Sequence, residues 1–481
     1  MKNMISEAAG ITPSDRQMAL QKMEFYSFVH FSIPAFLDRE WGHGTEQPSI
    51  FNPDRFDPDQ WVSVISSAGM KGLILTVKHH DGFCLWPSRY TDYSVKNSSW
   101  RNGRGDVVRD VQKACERGGL KFGIYLSPWD RHESSYGDSS IYNRYFENQL
   151  QELLSDYGDI FCVWLDGAKA DDGKDQIYNW DDYYRIIRKL QPGATIHICG
   201  PDVRWVGNET GFCRESEWSV QPSEVFDCDM IAGRSQQQEG ASPDTDIRND
   251  KLGNRAYIEN AENLIWYPAE VDVSIRPGWF YHSDENGRVL SPDELLDIYL
   301  DSVGGNALLL LNIPPDNHGL IHAADVWVLT RFGGMLQKIF SENLAAAAEV
   351  RSENGSLPGT SPDFIVGGRD NIRWLASVRD ETVTFELKFD GKLVFNILLL
   401  QEDITLGQRI ERFTAEFYTE NGKWESFTGA GAVGYKRILR FAAVKTEKIR
   451  IRITEYRAAP AVLNLGLYSY VFNQGVNLEN R

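Results

Sequence analysis

The chain predicts a (β/α)8-like barrel over residues 1–340 followed by an antiparallel β-sandwich over residues 341–481. Three observations carry this. Short strands that read as apolar on both faces alternate with amphipathic helices, as in a parallel sheet covered by helices. Polar residues gather at the carboxyl ends of those strands, where barrels of this kind carry their chemistry. Beyond residue 340 the pattern changes to period-two alternation punctuated by turn residues.

The strand segments are "FYSFVHF" (25–31), "GLILTVKHH" (72–80), "KFGIYLSP" (121–128), "FCVWLDG" (161–167), "TIHICGP" (195–201) and "NALLLLNIPP" (306–315). Between them the 3.6-residue period predicts helices over 58–70, 105–120, 142–158 and 180–192. No glycine-rich phosphate fingerprint follows any strand, which disfavours a dinucleotide-binding sheet. The segment "LAAAAEVRSENGSLPGTSPDF" reads as a link, and "TVTFELKFDG", "FTAEFYTENGKWESF" and "KIRIRITEY" read as sandwich strands. The tail "NQGVNLENR" is expected to fray.

A chain of 481 residues exceeds what one ordinary core serves, in keeping with a large domain and a smaller one. Its 68 acidic and 50 basic residues give a net charge of -18, which would repel nucleic-acid phosphates and anionic lipid headgroups. A neutral or cationic ligand is expected, with no nucleic-acid or membrane partner. No apolar stretch is long enough to cross a bilayer, and the first residues lack the apolar core of a secretory signal. A cytoplasmic location is the expectation, or a secreted or periplasmic one if a leader has been removed. The six cysteines are scattered without CxxC pairs and read as reduced structural thiols.

The strand ends, in order, present His30; His79, His80 and Asp81; Tyr125 with Trp129, Asp130 and Arg131; Trp164 and Asp166; then Asp202, Arg204 and Glu209. Five successive polar ends imply a shared pocket. A metal site would need three or four convergent ligands, and adjacent histidines on an extended strand point to opposite faces, so both serve one site only if the strand has ended. A Ser-His-Asp hydrolase lacks its G-x-S-x-G elbow. Polyol recognition accounts for the most residues: imidazoles and a tyrosine hydrogen-bond hydroxyls while tryptophans stack on an apolar sugar face.

Sugar hydrolysis with retention requires two carboxyl groups, one to attack the anomeric carbon and one to protonate the leaving oxygen. Asp166 is the nucleophile candidate, since it ends an apolar strand between Trp164 and Gly167; its competing structural role is to cap the next helix. For the acid there are Glu209, Glu215 and Glu217. Glu209, in a glycine-flanked loop beside Arg204 and Trp205, is preferred, with Glu217 as competitor and a plain salt bridge to Arg204 as the structural alternative.

The motifs "FVHFS", "KHHDGFCLWPS", "GIYLSPWD", "VWLDGA", "GPDVRWVGNE", "IRPGWFYH" and "NALLLLNIPP" resemble, in order, those of the alpha-L-fucosidases of glycoside hydrolase family 29. The likeness spans about residues 20–335 and is to the branch that prefers alpha-1,3- and alpha-1,4-linked fucose. The resemblance implies a retaining exo-hydrolase of fucosylated glycans, with Asp166 as nucleophile and Glu209 as acid/base. It implies no cofactor and no metal. It also implies that His30, His79, His80 and Tyr125 surround the fucose hydroxyls, that Trp41 and Trp279 flank the sugar, and that Arg204 lies near the nucleophile. Relatives often carry a C-terminal sandwich like carbohydrate-binding modules; here a scaffold role is favoured. The two rivals are a non-catalytic fucose-binding protein and a histidine-dependent metallohydrolase.

Overall fold

A computed structural model describes residues 4–169, 174–226, 247–367, 372–377 and 382–472. The expected fraying tail and Cys228 lie outside these residues. The first part of the chain contributes β1 (Phe25–Val29), β2 (Gly72–Lys78), β3 (Lys121–Leu126), β4 (Cys162–Leu165), β5 (Thr195–Ile198), β6 (Arg204–Trp205), β7 (Val220–Pro222), β8 (Leu264–Trp266), β9 (Ala269–Ser274) and β10 (Leu308–Asn312). Eight of them form one sheet in the order β5-β4-β3-β2-β1-β10-β9-β6, with β7 and β8 paired apart. Every pairing in that sheet is parallel. A parallel bridge from His197 to Val203 brings the β5 edge to the β6 end, so the sheet is a nearly closed barrel.

The apolar strands behave as their composition dictates. All residues of β1, β2 and β10 are buried, because one face looks into the barrel and the other onto helices. The predicted helices form as Pro58–Ser67, Val107–Gly118, Ser139–Asp156 and Trp180–Leu190. Asp57 and Asp106 cap the first two by accepting from the backbone N–H groups of Asp59, Gln60 and Arg109. Gly119 ends the second in a left-handed conformation, φ +73°. Two barrel strands escape the apolar-run criterion. β6 has only two residues, and β9 carries Glu270 and Asp272 at alternate positions.

Those alternating acids point inward. Glu270 accepts from Trp164 Nε1 at 2.8 Å and pairs with His197 Nδ1 at 2.8 Å and with the Tyr26 hydroxyl. Side chains of β1, β4, β5 and β9 thus meet in one polar layer inside the barrel. A barrel interior is a packed core, and buried polar groups there persist only when partnered.

The histidine pair is explained by where β2 stops. Its last residue is Lys78, and the register against β3 shifts between Thr76 and Lys78. Past that break, His79 and His80 are freed from strict alternation, so both rings turn to one cavity. Lys78 itself is fully buried, bound to Asp130 Oδ2 at 3.0 Å and Gln149 Oε1 at 2.9 Å, with the Tyr145 and Phe146 rings beside its ammonium. Asp130 also accepts from the backbone N–H groups of His132 and Glu133, which fixes the loop after β3. Trp86 takes no part in the cavity; its indole donates to Glu152 at 3.1 Å.

After the helix Ala323–Ile339, β11 (Glu349–Ser352), β12 (Trp374–Leu375), β13 (Val383–Glu402), β14 (Ile410–Tyr418), β15 (Trp424–Ala430), β16 (Arg437–Tyr456) and β17 (Ala461–Tyr468) form an antiparallel sheet. Its order is β12-β17-β13-β16-β14-β15, with β11 on β13. β13 and β16 are each 20 residues long and broken by register shifts, so that both ends of each strand reach one apolar cluster including Phe385, Leu398, Phe413 and Ile451. The segment read as a link contains β11 and is therefore part of this sheet. The predicted turn at "ENGKW" forms, with Gly422 at φ +75°.

The two sheets are joined by polar contacts. Gln408 accepts from Ser219 N at 2.8 Å and donates to Glu217 O at 3.1 Å, and Asn306 joins Glu217 O to Tyr435 N. No helix among the described residues is long and apolar enough to cross a membrane.

Removing one partner of a buried ion pair leaves an uncompensated charge. Lys78→Ala is therefore expected to lower unfolding free energy by about 3–5 kcal/mol, measured by denaturant titration, and Lys78→Met by less.

Candidate active site

The carboxyl ends of the barrel strands surround a cavity of about 220 Å3. Its lining includes His30, Trp41, His79, His80, Tyr125, Trp164, Asp166, Glu209 and Trp279, all singled out in the sequence. The structure adds Phe28, Glu40, Ile198, Trp205 and Asp272. Ile198 holds φ +65°, a strained conformation for a β-branched residue, where β5 gives way to its loop.

Asp166 follows the last residue of β4. Its Oδ2 accepts from the Tyr125 hydroxyl at 2.8 Å and lies 3.7 Å from His80 Nε2; its Oδ1 accepts from Ala168 N–H at 2.7 Å. The contact to Ala168 is a local turn, so the helix-capping role considered for Asp166 is not the one seen: the next described helix begins at Trp180. The carboxylate is fixed by two donors while 21% of its side-chain surface remains open.

The hydrogen-bond network assigns the imidazole tautomers. Ser127 Oγ gives its single proton to Trp129 O at 2.6 Å, so it accepts from His80 Nδ1–H at 2.8 Å. Asn312 spends its N–H groups on Ser274 Oγ and Trp279 O, so its Oδ1 accepts from His30 Nδ1–H at 2.8 Å. Burial holds His30 and His80 down to about 4, and His79 lower than ordinary, with neighbouring imidazoles adding to the last. Near neutral pH, Nε2 of both His30 and His80 is therefore a bare acceptor. His80 Nε2 lies 3.7 Å from Asp166 Oδ2, so both acceptors face the same part of the cavity. The His79 and His80 ring centroids are 4.1 Å apart, and His79 Nδ1 has no hydrogen-bond partner among the described residues.

Aromatic surfaces complete the walls. Trp164 stacks on Tyr125 at 5.3 Å and meets Phe28 edge-on at 5.0 Å; its indole N–H is taken by Glu270, so it offers the cavity a ring rather than a donor. Trp41 stands at the mouth, 42% exposed, edge-on to His80 and Trp129 at 5.5 Å. Trp279 is placed by Glu40, which accepts from the backbone N–H groups of Trp279 and Phe280 and binds His282 Nε2.

Glu209 sits in the loop after β6, between Gly207 at φ +104° and Gly211 at φ +92°; the turn uses backbone conformations that only glycine adopts without strain. The residue is exposed overall, yet its carboxyl lines the cavity. Desolvation first, then the charge of Asp166 and that of Glu40, push it above the ordinary glutamate value, and the nearby Trp279 indole N–H opposes the shift.

Arg204 corrects the expectation of a substrate contact. Its guanidinium is wholly buried outside the cavity, bonded to Glu217 Oε1, Tyr267 O and Trp218 O. Glu217 is 1% exposed and clamped by Arg204 and Arg214, which hold it below the ordinary value against the opposing effect of burial. It has no path to the cavity, and the pairing proposed between Glu209 and Arg204 does not form. Asp202 is likewise elsewhere, bound to Arg16 and Arg188. Asp81 is buried beside Gly42, and burial pushes its carboxyl up to about 7.

Among the described residues no three His, Cys, Asp or Glu side chains are grouped to hold a metal ion. No two described cysteines form a disulfide with each other.

Glu217→Ala is expected to leave two buried guanidinium groups unpaired and to cost about 3–5 kcal/mol of stability in a denaturant titration. Added azide is expected not to restore whatever activity is lost, because the residue does not reach the cavity.

The sequence profile of the Alpha-L-fucosidase family matches residues 17–339. The chain is 41% identical over 470 residues to Alpha-L-fucosidase 1 of Arabidopsis thaliana, covering 96% of this chain and 88% of that one. A Bacteroides ovatus structure provisionally named an alpha-L-fucosidase is 42% identical with a TM-score of 0.85, covering 99% and 77% of the two chains. A Ruminococcus gnavus fucosidase of glycoside hydrolase family 29, solved with fucose, is 30% identical with a TM-score of 0.85, covering 96% and 95%. The barrel, the strand-end cavity and these likenesses agree: the chain belongs to the alpha-L-fucosidases of glycoside hydrolase family 29.

Proposed function

We propose that the protein is an exo-acting, retaining alpha-L-fucosidase that releases terminal alpha-1,3- or alpha-1,4-linked fucose from branched glycans, with Asp166 as nucleophile and Glu209 as acid/base. The observation that carries this reading is that both carboxyl groups line one small cavity while differing in environment. Asp166 is fixed by two donors and aimed, whereas Glu209 is held above the ordinary glutamate value at the open side. Two carboxyls in unlike surroundings are the usual basis for dividing acid and nucleophile roles.

In the first step an Asp166 oxygen attacks the anomeric carbon of fucose as the glycosidic bond breaks, and Glu209 gives its proton to the departing oxygen. In the second, Glu209 takes a proton from water. The water oxygen attacks the same carbon from the side the leaving group vacated, and Asp166 departs with its bonding pair. Two inversions give net retention. A cavity of about 220 Å3 suits one sugar ring with the rest of the glycan outside, which supports exo action. The linkage preference rests on the motif set running through "IRPGWFYH".

Azide rescue with an aryl fucoside tests the two roles separately. Asp166→Ala is expected to lose at least ~10³-fold in kcat. Azide then attacks the substrate directly and gives the beta-fucosyl azide. Glu209→Ala is expected to lose ~10²–10⁴-fold, least with the best leaving groups. Azide there attacks the fucosyl-enzyme and gives the alpha-fucosyl azide. The same anomer from both variants, or no rescue of either, contradicts the assignment.

The acid works in its protonated form, so kcat/KM falls as pH rises through the Glu209 value. The limb due to Glu209 is expected above the ordinary glutamate range and to vanish from the kcat profile of Glu209→Ala.

A further inference from the structure

Four carboxyl groups line the cavity, those of Glu40, Asp166, Glu209 and Asp272, and no lysine or arginine is among its described lining residues. The three imidazoles bring no compensating charge near neutral pH, since burial disfavours the protonated form of each. Four anions crowded into about 220 Å3 without a cation would repel one another strongly at the low effective dielectric of such a site. With Glu209 protonated as the acid, three carboxyls remain without a cation, and repulsion among them favours the neutral form of one more.

Hydrogen bonding and burial select which one. Glu40 accepts two backbone N–H groups and binds His282, and Asp166 accepts the Tyr125 hydroxyl and Ala168 N–H. Glu209 is exposed. Asp272, on β9, is only 4% exposed, and its single side-chain donor is Trp205 Nε1–H, 2.7 Å from Oδ1. No described residue bonds Oδ2. Around it stand Glu270 two positions back on the same strand, Glu209 in the loop after β6, and Asp166 after β4; the residue in register on β10 is the uncharged Leu310. The titratable groups around it are all acids.

We propose that Asp272 is a neutral carboxylic acid that donates a hydrogen bond from Oδ2 to a hydroxyl of the bound sugar, making it a further substrate-binding residue. Burial first, then Glu209 and Glu270, raise its carboxyl well above the ordinary aspartate value, with Trp205 opposing. The role complements the two histidines. His30 and His80 present bare acceptors, and a pocket that binds hydroxyls also gains from a donor that carries no positive charge. The sugar contact rests on the fucosidase reading; the protonation of Asp272 does not.

The test compares Asp272→Asn, which keeps shape, neutrality and a donor, with Asp272→Leu, which removes the donor. Infrared spectra of the ligand-free protein at neutral pH are expected to show a protonated-carboxyl band in the wild type that is missing from Asp272→Asn. With an aryl fucoside, Asp272→Asn is expected to keep kcat/KM within about fivefold, and Asp272→Leu to lose ~10²-fold, mostly in KM. The wild-type KM is expected to rise at alkaline pH as Asp272 ionises, and that rise to be absent from Asp272→Asn. Loss by Asp272→Asn as large as by Asp272→Leu, or no band that depends on Asp272, overturns the proposal. The infrared result is read without substrate, so it stands apart from the azide test of Asp166 and Glu209. Should Asp272→Leu fail to fold, Asp272→Asn still decides.

Discussion

The hydrogen bond from the Tyr125 hydroxyl to Asp166 Oδ2 is the contact on which the site depends. It joins the ends of two neighbouring parallel strands, and the Asp166 oxygen it holds is the one that faces His80 at 3.7 Å. Three strand ends are thereby locked around one atom. A barrel makes this possible because parallel strands deliver their carboxyl ends to the same side, and loops added there bring donors and acids without disturbing the core.

Beneath the pocket, the fold invests buried polar pairs to hold that geometry. Lys78 and Asp130 fix the loop carrying Trp129 and Arg131, and Glu270 fixes Trp164 and His197. Arg204, Glu217 and Arg214 brace the region after β6, from which Glu209 projects, against Asn306 and the second sheet. These groups support the site from behind and do not touch the cavity. The C-terminal sheet is tied to that brace through Gln408, a structural role that needs no sugar.

Much of this was legible in the sequence, and the omissions have physical causes. Long apolar runs announced β1, β2, β3 and β10, and the polar residues after them announced the pocket. β9 went unread because Glu270 and Asp272 interrupt its apolar character, and they do so because they face a polar interior layer. β6 is too short to show any period. Trp205 lines the cavity from that two-residue strand, and Glu40 through loop geometry that linear spacing does not convey, although it sits beside Trp41 in the chain. Arg204 and Glu217 misled for the opposite reason. Charged residues near a strand end suggest chemistry, but here they neutralise each other in the core. That both histidines share one cavity followed only from the strand stopping at Lys78.

The pocket is acid-rich and free of described cations, so its chemistry turns on which carboxyl is charged. The most direct measurement is to trap the covalent intermediate with a fluorinated fucosyl fluoride and map the labelled peptide. The account predicts a single fucosyl adduct on Asp166, in the peptide that contains "VWLDGA". An adduct on Glu209, Asp272 or any other residue, or inactivation without an adduct, would contradict it.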